Sequence, residues 1–200
     1  MSRRLIIGLT GNIATGKSAI MRLAAERGAL TIDADRVVHE LLAGDAAIQA
    51  AVVEAFGPEA RRADGGIDRA ALGRIVFGDP ARLARLESIL HPATRAEIAR
   101  RVATAEAPVV MIEAIKLLEG PLAAACDQVW VTVCERATQL ERLRVCRGMD
   151  KAAAVARVDA QAPQSEKIAR ADVVIDTGGL MSATQAQFER AWAALPGDPS

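Results

Sequence analysis

Apolar residues fall along this chain in two rhythms. Five runs of five or six residues, at 5–9, 29–33, 109–113, 128–133 and 172–176, are rich in Val and Ile, and stretches with apolar residues at helical spacing separate them. Short continuous apolar runs predict strands buried on both faces. Their alternation with helices predicts a parallel, doubly wound sheet with right-handed crossovers. After the first run, Ile20, Leu23 and Ala24 form a helical stripe that stops at Gly28. After the last, Phe188, Trp192 and Leu195 repeat at helical spacing behind Ser182, which reads as the helix cap, and the tail 196–200 is expected to fray.

The spacing between strands is uneven. The 75 residues from 34 to 108 read almost wholly helical, far more than one crossover needs. Val37, Val38, Leu41 and Leu42 share one helix face that Gly44 ends, and Asp45 opens a second helix carrying Ile48, Val52 and Phe56. After a turn at Asp64-Gly65-Gly66, Asp68 caps a third helix with Leu72, Ile75 and Val76. Asp79-Pro80 starts a fourth with Leu83, Leu86, Ile89 and Leu90. A helical domain is therefore predicted over 35–95. A second insertion, 141–167, carries Arg142, Arg144, Arg147, Arg157 and Lys167 on polar helices and resembles a lid. The core comprises what remains: 1–34, 96–140 and 168–200.

Composition narrows the partners. Acidic and basic residues balance at 25 each, so no overall field draws in a nucleic acid or an anionic membrane surface. Asn12 and Lys17 interrupt the first apolar run before it becomes an export signal, and no stretch approaches a membrane span. Cys126, Cys134 and Cys146 lack close C-x-x-C spacing, which points to reduced structural thiols in a cytoplasmic protein.

The candidate chemistry begins where the first strand ends. Residues 11–18 read Gly-Asn-Ile-Ala-Thr-Gly-Lys-Ser, a complete G-x-x-x-x-G-K-[ST] phosphate-binding loop between a strand and a helix. In such a loop the backbone N–H groups wrap a polyphosphate that also faces the positive end of the helix. Gly11, Asn12, Ile13, Ala14, Thr15, Gly16, Lys17, Ser18 and Ala19 are the expected nucleotide-binding residues. Lys17 reaches the outer phosphates and the Ser18 hydroxyl ligates Mg²⁺. The fold class that follows is α/β: a five-stranded parallel-sheet P-loop NTPase core with a helical insertion and a helical lid.

A second signal closes the second strand. Asp33 and Asp35 lie two apart in Thr31-Ile32-Asp33-Ala34-Asp35-Arg36, and while the chain stays extended both project to one side, at the sheet edge where α/β ligands bind. One carboxylate can take a proton from an attacking hydroxyl while the other orients Mg²⁺ or its waters. The plainer alternative for either acid is a cap on the helix beginning near Arg36. Glu113 at the end of the third strand either holds Mg²⁺ through water or caps the next turn.

These residues together resemble the dephospho-CoA kinases. The resemblance rests on Gly8-Leu9-Thr10-Gly11 through Ser18, Ile32-Asp33-Ala34-Asp35, Asp68-Arg69 through Val76-Phe77 to Leu90-His91-Pro92, Gln161 with Glu166-Lys167, and Ala171-Asp172-Val173-Val174-Ile175-Asp176. It implies transfer of the ATP γ-phosphoryl to the ribose 3′-hydroxyl of dephospho-CoA, the last step of coenzyme A synthesis, with a helical CoA-binding domain and a lid. It makes Asp35 the catalytic base with Asp33 as a supporting acid, gives Lys17 and Ser18 the phosphate and Mg²⁺ roles, and sets Arg147 against the transferring phosphate. His91 and Arg95 fall in the substrate-holding domain, although a lone His91 beside Pro92 is by itself an ordinary helix-end or core histidine. The other arginines of 142–157 read as a solvated helix face.

Some positions depart from the family's usual pattern. Asn12 and Ala14 stand where glycine is common and Ala19 where threonine is frequent. Lys116 interrupts a Pro-Leu-Leu-Phe-Glu-like run, and Thr177 stands where asparagine is frequent. The alternatives are another P-loop kinase of small metabolites or a nucleotide-dependent sensor. A GTPase is excluded, because Asn12, the only asparagine, is followed by Ile13 and cannot open an Asn-Lys-x-Asp motif.

Overall fold

The computed structural model describes residues 4–196, so most of the tail read as frayed lies outside the described residues. The described chain forms two compact units, one of residues 4–32 with 105–196 and one of residues 33–104.

The first unit is built on the sheet. Strands β1 (Leu5–Gly11), β2 (Leu30–Asp33), β3 (Val109–Glu113), β4 (Gln128–Val133) and β5 (Val173–Asp176) take the order β2-β3-β1-β4-β5. β1 pairs in parallel with β3 and β4, and β4 with β5. The register sets Leu9 opposite Glu113, Gly11 opposite Thr132 and Val133 opposite Asp176, so the chemistry-bearing ends of four strands share one edge. One face buries Ile7, Leu9, Met111, Trp130 and Ile175 against α1 (Lys17–Glu26) and α9 (Met181–Ala193). Trp130 meets Phe188 edge-on at 5.9 Å, and Phe188 stacks on Trp192 at 5.3 Å. The final helix thus packs through the predicted residues, but Ser182 does not cap it: α9 starts at Met181 behind Leu180, with no side-chain cap. Helices α6 (Arg136–Arg147), α7 (Lys151–Asp159) and α8 (Gln164–Ile168) lie between β4 and β5 in the chain.

The second unit is helical: α2 (Ala34–Gly44), α3 (Ala46–Phe56), α4 (Arg69–Val76) and α5 (Pro80–Thr104). Each opens on an aspartate whose carboxylate accepts backbone N–H groups of the first turn: Asp33, Asp45, Asp68 and Asp79. Leu42, Val52, Phe56, Ile67, Leu72, Val76 and Leu90 form its own core. This unit runs to Thr104, past the expected boundary at 95, because α5 continues through Pro92 for 25 residues. Proline removes one helical donor without ending the helix. Two residues on, the Thr94 hydroxyl donates back to the Leu90 carbonyl at 2.8 Å. Further along, Arg101 donates to Glu97 and Glu40 and so ties α5 to α2. The guanidinium groups of Arg100 and Arg101 hold the Glu97 carboxyl down to about 2. Among the described residues no helix is long and apolar enough to cross a membrane.

Candidate phosphoryl-transfer site

β1 delivers the chain into the loop at Gly11, which only glycine can occupy. Its φ is +154°, and a Cβ there would sit 2.4 Å from the Thr132 hydroxyl and 2.6 Å from that of Thr15. The buried Thr15 hydroxyl bonds the Asn12 carbonyl and the Thr132 hydroxyl, both at 2.8 Å, and pins the loop to β4. Gly16, at φ +82°, then turns the chain into α1. No side chain caps α1 and no acid stands in its first turn, so the positive end of the helix is left for an anion.

Lys17 is buried, and its ammonium donates to the carbonyls of Gly11 and Asn12 at 3.0 and 3.1 Å. It lies 4.0 Å from Glu113 Oε1. These contacts hold the cation inside the curve of the loop. Ser18 follows, exposed on the first turn of α1. The oxygen donors of Ser18 and Glu113 fit Mg²⁺, which takes few protein ligands and fills its shell with water and phosphate oxygens. Among the described residues no group of three or more His, Cys, Asp or Glu could hold a metal by itself.

Of the two arrangements the sequence allows for the acids at the end of β2, Asp33 takes the cap. The strand ends at Asp33 and Asp35 is already helical, so the two carboxylates are not alternating positions of an extended segment. Asp33 Oδ1 accepts from the N–H groups of Asp35 and Arg36 at 2.9 and 3.1 Å. Asp33 is therefore a helix cap, while Asp35 stays exposed in the first turn of α2. His91 and Arg95 are exposed one turn apart on α5. Among the described residues no hydrogen bond joins either to Asp35. In the sheet unit, Arg147 is exposed at the last position of α6.

Arg142 was read as part of a solvated face, and the structure corrects that reading. It is half-buried, with Nη1 3.1 Å from both the Ala14 carbonyl and the Thr177 hydroxyl, and Nη2 donating to the Thr177 carbonyl. Gln139 also meets the loop. The sequence sign of both was slight: they lie three apart on α6, beside the buried Leu143. Lys167 on α8, read from the sequence among the polar residues of the lid and within the resemblance, is buried.

The thiols divide by burial. Burial, with Asp127 adding to it, pushes the Cys126 thiol up to about 11, and burial raises that of Cys134, while Cys146 is exposed on α6. A maleimide at pH 8 is expected to label one thiol per native chain rapidly, at Cys146, and the other two only on unfolding. Peptide mapping of the labelled protein checks this.

Comparison with known proteins decides among the kinase readings. A sequence model described as dephospho-CoA kinase matches residues 5–182. The chain belongs to the dephospho-CoA kinase family. It is 44% identical over 195 residues to the dephospho-CoA kinase of Symbiobacterium thermophilum, covering 96% of this chain and 82% of that one. The crystal structure of TT1252 from Thermus thermophilus superposes with a TM-score of 0.84 at 29% identity, covering 98% of this chain and 100% of that one. The dephospho-CoA kinase from Campylobacter jejuni gives a TM-score of 0.62 at 24% identity over 94% and 95% of the two chains, a likeness of fold. The chain is thus an ATP-dependent kinase whose acceptor is dephospho-CoA.

Proposed function

We propose that the phosphate loop, Asp35 and Arg147 carry this transfer. The observation that supports the loop's role most directly is the buried Lys17 ammonium, held inside a complete phosphate loop at the open end of a helix. The acceptor ribose 3′-hydroxyl attacks the γ-phosphorus of ATP and gives its proton to Asp35 as the new O–P bond forms. The bond to the β–γ bridging oxygen breaks and ADP leaves. Charge in flight is shared among the phosphoryl oxygens, so Lys17, the loop N–H groups and Arg147 stabilise it. Asp33, by capping α2, fixes the turn that carries Asp35. Mg²⁺ bound with ATP supplies neutralisation of the β- and γ-phosphate charge. Ser18 would ligate it, with Glu113 acting through its waters. The helical unit then holds dephospho-CoA, with His91 and Arg95 as contacts, and α6 to α8 form the lid.

A coupled assay of ADP release from MgATP with dephospho-CoA, and adenosine as the control acceptor, tests the activity. The expected product carries one added phosphoryl group by mass and is CoA. ADP formed only with other acceptors would instead assign a different metabolite kinase.

A further inference from the structure

We propose that Arg142 is a positioning residue for the nucleotide: it ties the outer arm of the phosphate loop to the turn after β5 and so sets the cleft in which MgATP lies. The inference rests on the reading of residues 11–18 as the nucleotide site. Its starting point is Ala14, which among the described residues is the only non-glycine with positive φ, at 60°. That region crowds the Cβ of any L residue, and such a residue stays there only where its surroundings over-determine it. Arg142 supplies the restraint by donating to the Ala14 carbonyl.

The same guanidinium grips Thr177 at two points, the hydroxyl and the carbonyl. Thr177 is itself seated against the loop. Its hydroxyl, accepting from Arg142, lies 2.9 Å from the Thr15 carbonyl and 3.2 Å from that of Val133, and a Cβ on Gly16 would lie 3.0 Å from it. Ala14, Arg142, Thr177 and Thr15 therefore close a ring of contacts around the outside of the loop. A guanidinium suits this place because its planar fork donates in two directions at once, whereas an ammonium is a point donor. Among the described residues no carboxylate pairs with Arg142, so its charge also favours an anion in the loop.

The rest of the arm is held from the same side. Ile13 receives a bond from Gln139 on its carbonyl and gives one to Gln161 from its N–H, both at 2.7 Å. Ile13 and Ala14 pack against the small core of Leu143, Ala154 and Val158. With this support a loop can present its N–H groups already oriented, which lowers the cost of binding phosphate.

Steady-state kinetics of Arg142→Ala, Arg142→Lys and Thr177→Val test the proposal, with Lys17→Ala as the control for the loop. Arg142→Ala is expected to raise KM for MgATP by about tenfold to hundredfold, the loss of hydrogen bonds from a charged donor. Turnover at saturating MgATP and KM for dephospho-CoA should stay within about threefold, because a residue that only preorganises the loop acts on binding. Lysine at 142 should restore part of the affinity, and Thr177→Val should weaken MgATP in the same direction. If Arg142→Ala does not fold, Thr177→Val carries the same comparison. An unchanged KM for MgATP, or a loss wholly in turnover, would overturn the proposal. Normal nucleotide binding by Lys17→Ala would overturn the loop reading itself, which separates the two failures.

Discussion

Arg147→Ala is expected to lower kcat by about 10³-fold or more, while KM for MgATP moves less than tenfold; the scale is that of an arginine that meets phosphoryl charge only in the transition state. Arg147 is the last residue of α6, and Gly148, at φ 61°, ends the helix behind it. It is exposed, and among the described residues no carboxylate holds it. Arg142 and Arg147 lie on one helix, five residues and roughly 140° apart at 3.6 residues per turn. Arg142 is bound to the carbonyls of Ala14 and Thr177, and Arg147 to neither. The same substitution at the two positions should therefore give opposite kinetics, affinity lost at 142 and turnover lost at 147. Lysine at 147 keeps the charge but not the fork, and an intermediate rate is expected. Unchanged turnover in Arg147→Ala would remove it from the mechanism.

The sheet was legible because β1, β3 and β4 are largely apolar runs, as buried parallel strands are, whereas β2, Leu-Thr-Ile-Asp, shows the pattern only weakly. The phosphate loop was legible because its chemistry is local: Gly11, Gly16, Lys17 and Ser18 act within one turn of chain. What stayed hidden depended on contacts far apart in sequence or on a shift of one residue. Arg142 meets Ala14 across 128 positions, and the carbonyls it bonds there and at Thr177 carry no residue signature. Gln139 and Ile13 are 126 apart in the same way. The extended reading of the Asp33 and Asp35 pair needs the chain to stay extended to residue 35, but helix α2 begins at Ala34 directly after the strand and gives Asp33 to capping, the alternative the sequence also allows. Ser182 failed as a cap for a like reason, since α9 begins one residue before it. The expected boundary at 95 falls inside α5, which runs through Pro92 to Thr104, and no residue at 95 marks the end of a helix.

Asp35→Asn is expected to lower kcat by roughly 10²- to 10⁴-fold, the usual contribution of a general base, with MgATP binding kept. Asparagine matches aspartate in shape and can still accept a hydrogen bond from the acceptor hydroxyl, but it cannot take its proton. The backbone of residue 35 should not move, because its N–H is bonded to Asp33 Oδ1 whichever side chain it carries. Asp33→Asn provides the complementary measurement. Asparagine caps helices about as well as aspartate, so α2 should keep its start, and a loss of less than tenfold is expected if Asp33 acts by positioning alone. Asp33→Ala removes the cap, which costs about 1 kcal/mol of helix stability, and frees the turn that carries Asp35. Its turnover should therefore fall below that of Asp33→Asn. Wild-type turnover in Asp35→Asn would transfer the role of base to another group, while equal losses in Asp33→Asn and Asp35→Asn would make the two acids partners in the proton transfer.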